Sequence, residues 1–217
     1  MSIISPSDFP VYLSLFHGTT ESVAKDIVAH KNFKIGEFRE DHWLGQGVYF
    51  YREDYKQALI WARYKIKRKK ELNGENVAVI YSNTIINNSQ FLNLDTREGL
   101  NFFKSFLEGL KAFSGENKIE INIDDDHPKK KELLMCFYCD MLPKEIKVIQ
   151  RTYRVGSGHF DSDTLLQEVG MHLHGIQVCV RDTSVIDYEK TGIWSIAKAH
   201  SKPLKKKKKR KISFEEE

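Results

Sequence analysis

Residues 11–62 read VYLSLFHGTTESVAKDIVAHKNFKIGEFREDHWLGQGVYFYREDYKQALIWA, and this stretch decides the fold. Tyr12 to Phe16 is a short apolar run of strand length that stops at His17-Gly18-Thr19. A helix is predicted from about Glu21 to His30. Thr19 or Thr20 stands where a cap belongs, Val23, Ile27 and Val28 supply an apolar stripe, and His30 and Lys31 suit a helix C-terminus. A charged, glycine-containing loop follows, and Val48 to Tyr51 is a second short strand. Glu53 or Asp54 then opens a second helix, whose apolar positions Ala58, Leu59, Ala62 and Ile66 recur at three- and four-residue spacing.

Beyond this unit, Val77 to Tyr81 reads as a buried strand and Phe91 to Leu94 as a shorter one. Asp95-Thr96-Arg97-Glu98 has the pattern of a capping box and predicts a helix through Leu100, Phe103, Leu107 and Leu110. The polar segment 114–131 reads as an exposed insertion or loop. A helix over about 132–142 and strands over Ile146–Val155 and Ile176–Arg181 follow, with Gly156-Ser157-Gly158 as a turn. Strands and helices mix without regular alternation, which points to an α+β domain over residues 1–200. There is no internal repeat.

A chain of 217 residues with 41% apolar content can bury one sizeable core. No run approaches the ~20 apolar residues of a membrane span, and the first residues lack the basic flank and cleavage site of a secretory signal. A cytoplasmic protein is expected, or a nuclear one if the source is eukaryotic, with no membrane partner. Cys136 and Cys139 form a CxxC inside an apolar helix-like run, and Cys179 stands alone. No second pair completes a zinc site, so all three read as small core residues in a reducing compartment. His159, His172 and His174 likewise lack the carboxylate or thiol spacing of a metal centre. The net charge of +4 hides a division. Lys202 and Lys205 to Lys211 concentrate the positive charge in a tail, 201–217, expected to be disordered, while the body is slightly acidic. Such an arm suits polyphosphate, so nucleic acid is slightly favoured over protein as a macromolecular partner.

Three motifs remain. They are Phe16-His17-Gly18-Thr19, then Gly45-Gln46-Gly47-Val48-Tyr49-Phe50 leading to Trp61-Ala62, and finally Gln177 to Thr183 (QVCVRDT). In this order and spacing they resemble the ADP-ribosyltransferase superfamily, in its diphtheria-toxin-like, poly(ADP-ribose) polymerase-like branch. The resemblance is clear over residues 13–62 and extends to 175–187. It implies a split β-sheet core with flanking helices and NAD as co-substrate. His17 would then hydrogen-bond the adenosine ribose, and the Gly18 backbone would clamp the nicotinamide carboxamide beside Thr19 and Gly47. Tyr49 would stack on the nicotinamide ring, with Trp61 as a second aromatic wall; both also read as ordinary core aromatics.

Gln177 occupies the position where the polymerases carry Glu, giving a His-Tyr-Gln type motif; a bacterial branch of the family has Gln there. A Gln carbonyl accepts a hydrogen bond but carries no charge to stabilise a developing cation and cannot act as a general base. The resemblance therefore implies a mono-ADP-ribosyltransferase rather than a chain-elongating enzyme, acting as a toxin or phage-defence effector, with an antitoxin or inhibitor protein as a further partner. Glu168, just before the late strand, is the acceptor-side candidate. NAD glycohydrolysis and a non-catalytic module that binds NAD or nucleic acid stand as alternatives.

Overall fold

The computed structural model describes residues 9–36, 42–117, 126–154, 168–169 and 174–198. The predicted turn at 156–158, His159, His172, most of the 118–131 part of the insertion and the basic tail 201–217 lie outside them in whole or in their larger part.

The chain is an α+β fold built on one seven-stranded sheet. Its strands are β1 (Pro10–Thr20), β2 (Val48–Arg52), β3 (Val77–Asn87), β4 (Phe91–Asn93), β5 (Val148–Arg154), β6 (His174–Val180) and β7 (Ile186–Ala197), and its helices are α1 (Glu21–His30), α2 (Tyr55–Arg68), α3 (Arg97–Asn117) and α4 (Lys130–Asp140). Across the sheet the order is β4-β5-β6-β2-β1-β3-β7. Only β4 and β5 run parallel among the paired strands.

Alternation along the strands sorts the core into two layers. On one face Leu13, Leu15, Phe50, Val178 and Ile80 pack beneath Ala24 and Ile27 of α1 and beneath Phe33. On the other, Phe16, Tyr51 and Val79 meet Ala58 of α2, while Ile149, Leu92 and Cys179 meet Phe103 of α3 and Cys139 of α4. Each fully buried large side chain contributes about 1.5–3 kcal/mol.

The first strand runs past the predicted stop at Phe16. Residues His17 to Thr20 stay extended because β1 pairs with β3 from Pro10↔Asn87 to Thr20↔Val77, and the same pairing carries β3 beyond Tyr81. Both helices of the deciding stretch start as the sequence predicts. Thr20 Oγ1 accepts from Val23 N at 3.3 Å, and Asp54 Oδ1 accepts from Gln57 N at 2.9 Å. The stripe of α1 differs, since Ala24 and Ile27 are its buried residues and Val23 is exposed.

At α3 the capping residue is Thr96, whose Oγ1 accepts from Gly99 N at 3.1 Å. Asp95 instead clips β5, accepting from Thr152 N at 2.9 Å and from Thr152 Oγ1 at 2.8 Å. Residues 114–117, read as loop, continue α3, and α4 begins at Lys130. Strand β7 has no counterpart in the sequence reading. It is an edge strand, and its run IDYEKTGIWSIA interrupts apolar alternation with charge because only part of it faces the core.

Cys136, Cys139 and Cys179 are free and buried. Burial pushes the Cys136 thiol up to about 11 and Cys139 to about 12, so both are neutral core groups. Among the described residues no helix is long and apolar enough to cross a membrane, and no group of three or more His, Cys, Asp or Glu side chains is placed to hold a metal ion.

Candidate functional site

The three motif-bearing strands β6, β2 and β1 are neighbours in the sheet, although their motifs are widely separated in sequence. The β2–β6 ladder is regular from Val48↔Val180 to Tyr51↔Gln177. The β1–β2 ladder covers only Leu15↔Arg52 and Phe16↔Tyr51. Beyond that point the backbones part, and a side chain takes over, because His17 Nδ1 lies 2.8 Å from the Tyr49 carbonyl.

A cavity of about 270 Å³ opens at this seam. His17, Gly18 and Thr19 of β1, Gly47 and Tyr49 at β2, Trp61 of α2 and Gln177 of β6 all line it. Its walls come from both faces of the sheet. Val23 and Ile27 of α1 and Phe33 stand on the His17 side, and Tyr49, Tyr51 and Gln177 share the opposite face.

Each of these groups is held. The Tyr49 carbonyl can only accept, so His17 Nδ1 carries the proton and Nε2 is left as an acceptor. The His17 ring rims the cavity but is otherwise hemmed in, with the Phe33 and Phe50 rings each 5.6 Å away. Burial pulls its pKa from 6.5 to about 4, the Tyr49 carbonyl acts in the opposite sense, and the Lys65 cation adds to the depression. His17 is therefore a neutral imidazole at physiological pH.

The Tyr49 phenol donates to the Gly45 carbonyl at 2.8 Å and accepts from Leu44 N at 2.7 Å, which ties the glycine loop to β2. Burial raises its pKa well above the usual phenol value. The His42 ring stacks on Tyr49 at 4.8 Å, so one face of the expected nicotinamide platform is already covered. Burial raises the pKa of the Tyr51 phenol, and the nearby Gln57 and Gln177 amides act in the opposite sense. Among the described residues Asp26 is the only carboxylate on the cavity wall, and it lies 2.9 Å from His30 Nδ1.

The glycines have local reasons. A Cβ at Gly18 would sit 1.9 Å from the Ala58 carbonyl oxygen, so its absence lets α2 lie directly on β1. A Cβ at Gly47 would meet Cys179 Sγ at 2.5 Å, and Gly45 has φ +82°. The missing Cβ of Gly18 thus serves helix packing, in addition to any part its backbone plays toward a ligand.

Glu168 is exposed and does not line the cavity, and His174 is exposed at the start of β6. Several wall residues have no site role in the sequence reading: Phe33, Lys34, His42, Trp43, Tyr51 and Lys65. Two of these left a signal. Lys65 follows Trp61 by one helical turn, and Tyr51 shares the strand face of Tyr49. The others sit in the loop between α1 and β2, where no periodicity reports which side chain turns inward.

At the level the geometry fixes, this is an α+β domain with a ligand-sized cavity at a parted strand seam. The chain is 34% identical over 84 residues to an uncharacterized protein of Methanocaldococcus jannaschii, covering 39% of this chain and 38% of that protein. The chain thus spans well under half the length of this relative. No family model matches the chain, and no solved structure matches it.

Proposed function

We propose that this chain is an NAD-cleaving mono-ADP-ribosyltransferase that moves ADP-ribose to a macromolecule, as a toxin or antiviral-defence effector. One observation carries the reading: His17, Gly18, Thr19, Gly47, Tyr49, Trp61 and Gln177, from three separate stretches of sequence, converge on one cavity. A split-sheet transferase core is part of the same proposal, supported by the two-position ladder between β1 and β2.

The cavity suits the ligand in kind. Its 270 Å³ lies just below the ~300–1,000 Å³ typical of small-molecule sites, which suits the nicotinamide–ribose half of NAD, with the pyrophosphate and the other ribose running out along the rim. The acceptor Nε2 of neutral His17 takes a hydrogen bond from a ribose hydroxyl. Lys34 and Lys65 on the wall attract the pyrophosphate. Gln177 on the cavity wall accepts from the second ribose.

In the reaction the bond between ribose C1′ and nicotinamide N breaks, and its electron pair leaves with neutral nicotinamide. A nucleophilic atom of the acceptor forms the new bond to C1′ and releases its proton to solvent. With Asp26 as the only described carboxylate on the wall, the site offers little to activate a second, ribose-directed transfer. That favours one transfer per acceptor site.

The test is incubation of the purified protein with radiolabelled NAD and separate pools of RNA, DNA and protein. Label entering one pool, and lost with His17→Ala, is the expected result. Free ADP-ribose with no labelled pool would make the protein a glycohydrolase. Intact NAD throughout would reduce it to a binding module.

A further inference from the structure

Beneath α2, on the face of the sheet that carries Gln177, the buried rings of Tyr51 and Phe16 form a row that ends in the open at Trp194. Tyr51 is the register partner of both Gln177 and Phe16, and the Phe16 ring lies 5.5 Å from that of Trp194. Trp194 owes its position to a β-bulge. In the β3–β7 ladder Val79 pairs with Ser195 and Ile80 with Ile193, leaving Trp194 between them unpaired. A bulge re-aims a side chain, and this one sets a tryptophan over Phe16, beside Tyr55 at 6.1 Å. Yet Trp194 remains 54% exposed and Tyr55 37%. A large aromatic placed by a bulge and left open has more surface than the core needs.

Tyr55 is also the first residue of α2, and α2 is basic. It carries Lys56, Arg63, Lys65, Lys67 and Arg68 and no carboxylate, and all but Lys65 of these are exposed. Exposed Tyr64 lies among them, with the Arg68 guanidinium 5.2 Å from its ring centre. The same helix reaches the cavity through Trp61 and Lys65. Stacking rings interleaved with cations are what a single nucleic-acid strand needs: rings for its bases, cations for its phosphates. The 14 residues of α2 rise about 1.5 Å each, so this exposed surface is about 21 Å long, enough for several nucleotides.

We infer that α2 and Trp194 form the acceptor-binding surface of the enzyme, and that the acceptor is a single-stranded nucleic acid. This rests on the transferase reading above and gives it a substrate class. Bases stack on Trp194 and Tyr55, phosphates follow α2, and the strand is led toward the cavity mouth at Trp61 and Lys65. Trp194 and Tyr55 supply rings beside the cations, so the surface should work through stacking as well as charge.

The test uses the full chain and short fluorescein-labelled single-stranded RNA and DNA, followed by anisotropy across a salt titration. Trp194→Ala should weaken binding at least about fivefold, the lower end for loss of one stacking partner, and Trp194→Phe should restore most of it. Replacing Lys56, Arg63 and Lys67 together with Gln should lower the slope of log affinity against log salt by about 2. Nicotinamide release into water, without any acceptor, should be unchanged in all of these variants. Wild-type affinity and slope in both variant sets would overturn the inference. So would label from NAD entering protein instead, and falling in these same variants. Oligonucleotide binding that responds to the variants, in a chain that never cleaves NAD, would uphold the surface and refute the transferase. Cleavage accompanied by unresponsive binding would do the reverse.

Discussion

Lowering the pH should destabilise the protein through His17, by an amount the structure sets. The unfolded chain takes up a proton at this residue near pH 6.5, whereas burial holds the folded value near 4. Between those values the unfolded state binds more protons, so stability rises with pH. This contribution is intact above 6.5 and lost as pH falls toward 4. Each tenfold change in proton affinity is worth about 1.4 kcal/mol, which puts the full displacement at no more than ~3.5 kcal/mol. Between pH 7 and pH 5 the loss should approach ~2 kcal/mol, less whatever solvent in the cavity screens at the open ring edge. The perturbation is His17→Gln, which retains an amide to donate to the Tyr49 carbonyl but does not titrate. Urea unfolding of both proteins at pH 7 and pH 5, followed by circular dichroism, gives the comparison. The wild type should lose about 1–2 kcal/mol more than the variant over this interval. Equal losses would refute the buried, neutral imidazole and, with it, the assignment of Nε2 as a hydrogen-bond acceptor.

Other perturbations probe other parts of the account. Gly18→Ala would place a Cβ 1.9 Å from the Ala58 carbonyl oxygen, and the α2 backbone cannot yield cheaply; a loss above ~2 kcal/mol is expected in urea unfolding, and an unchanged midpoint would remove the close α2–β1 contact. Tyr49→Phe leaves Leu44 N and the Gly45 carbonyl without the phenol, which should cost about 1–3 kcal/mol and reduce NAD turnover; normal turnover would show that the hydroxyl's hold on the glycine loop does not shape the site. Thr96→Ala should lower stability by about 0.5–2 kcal/mol through loss of the α3 cap, whereas Asp95→Ala should leave α3 capped. Gln177→Glu supplies the missing negative charge and should speed nicotinamide release by about tenfold; an unchanged rate would place Gln177 away from the reacting ribose.

Much of the site was legible because its residues lie in short segments whose local pattern is unambiguous. Leu13–Phe16 is apolar at strand length, Thr20 and Asp54 are caps with a hydroxyl or carboxylate in the right place, and Ala58 and Ala62 are the small residues a close helix needs. What could not be read depended on pairing across the chain. Nothing between His17 and Thr20 indicates that these residues stay in a strand until Val77–Ile80 is seen alongside. Strand β7 was hidden because an edge strand does not need an unbroken apolar alternation, and Trp194 owes its aim to a bulge that exists only in the β3–β7 ladder. The motif Asp95-Thr96-Arg97-Glu98 marks the start of α3 as read, but not which residue caps it: Asp95 is engaged by Thr152, and Thr96 is the cap. The wall residues Phe33, His42 and Trp43 turn inward from a loop, where side-chain direction follows from tertiary contact alone.

The central claim is that the parted β1–β2 seam cleaves NAD. Its most direct measurement is nicotinamide release from NAD by the purified chain, resolved by chromatography, beside His17→Ala and Gln177→Ala proteins whose folding is verified by circular dichroism. The account predicts release by the wild type and loss of it in both variants. Release that continues undiminished in folded His17→Ala would contradict it.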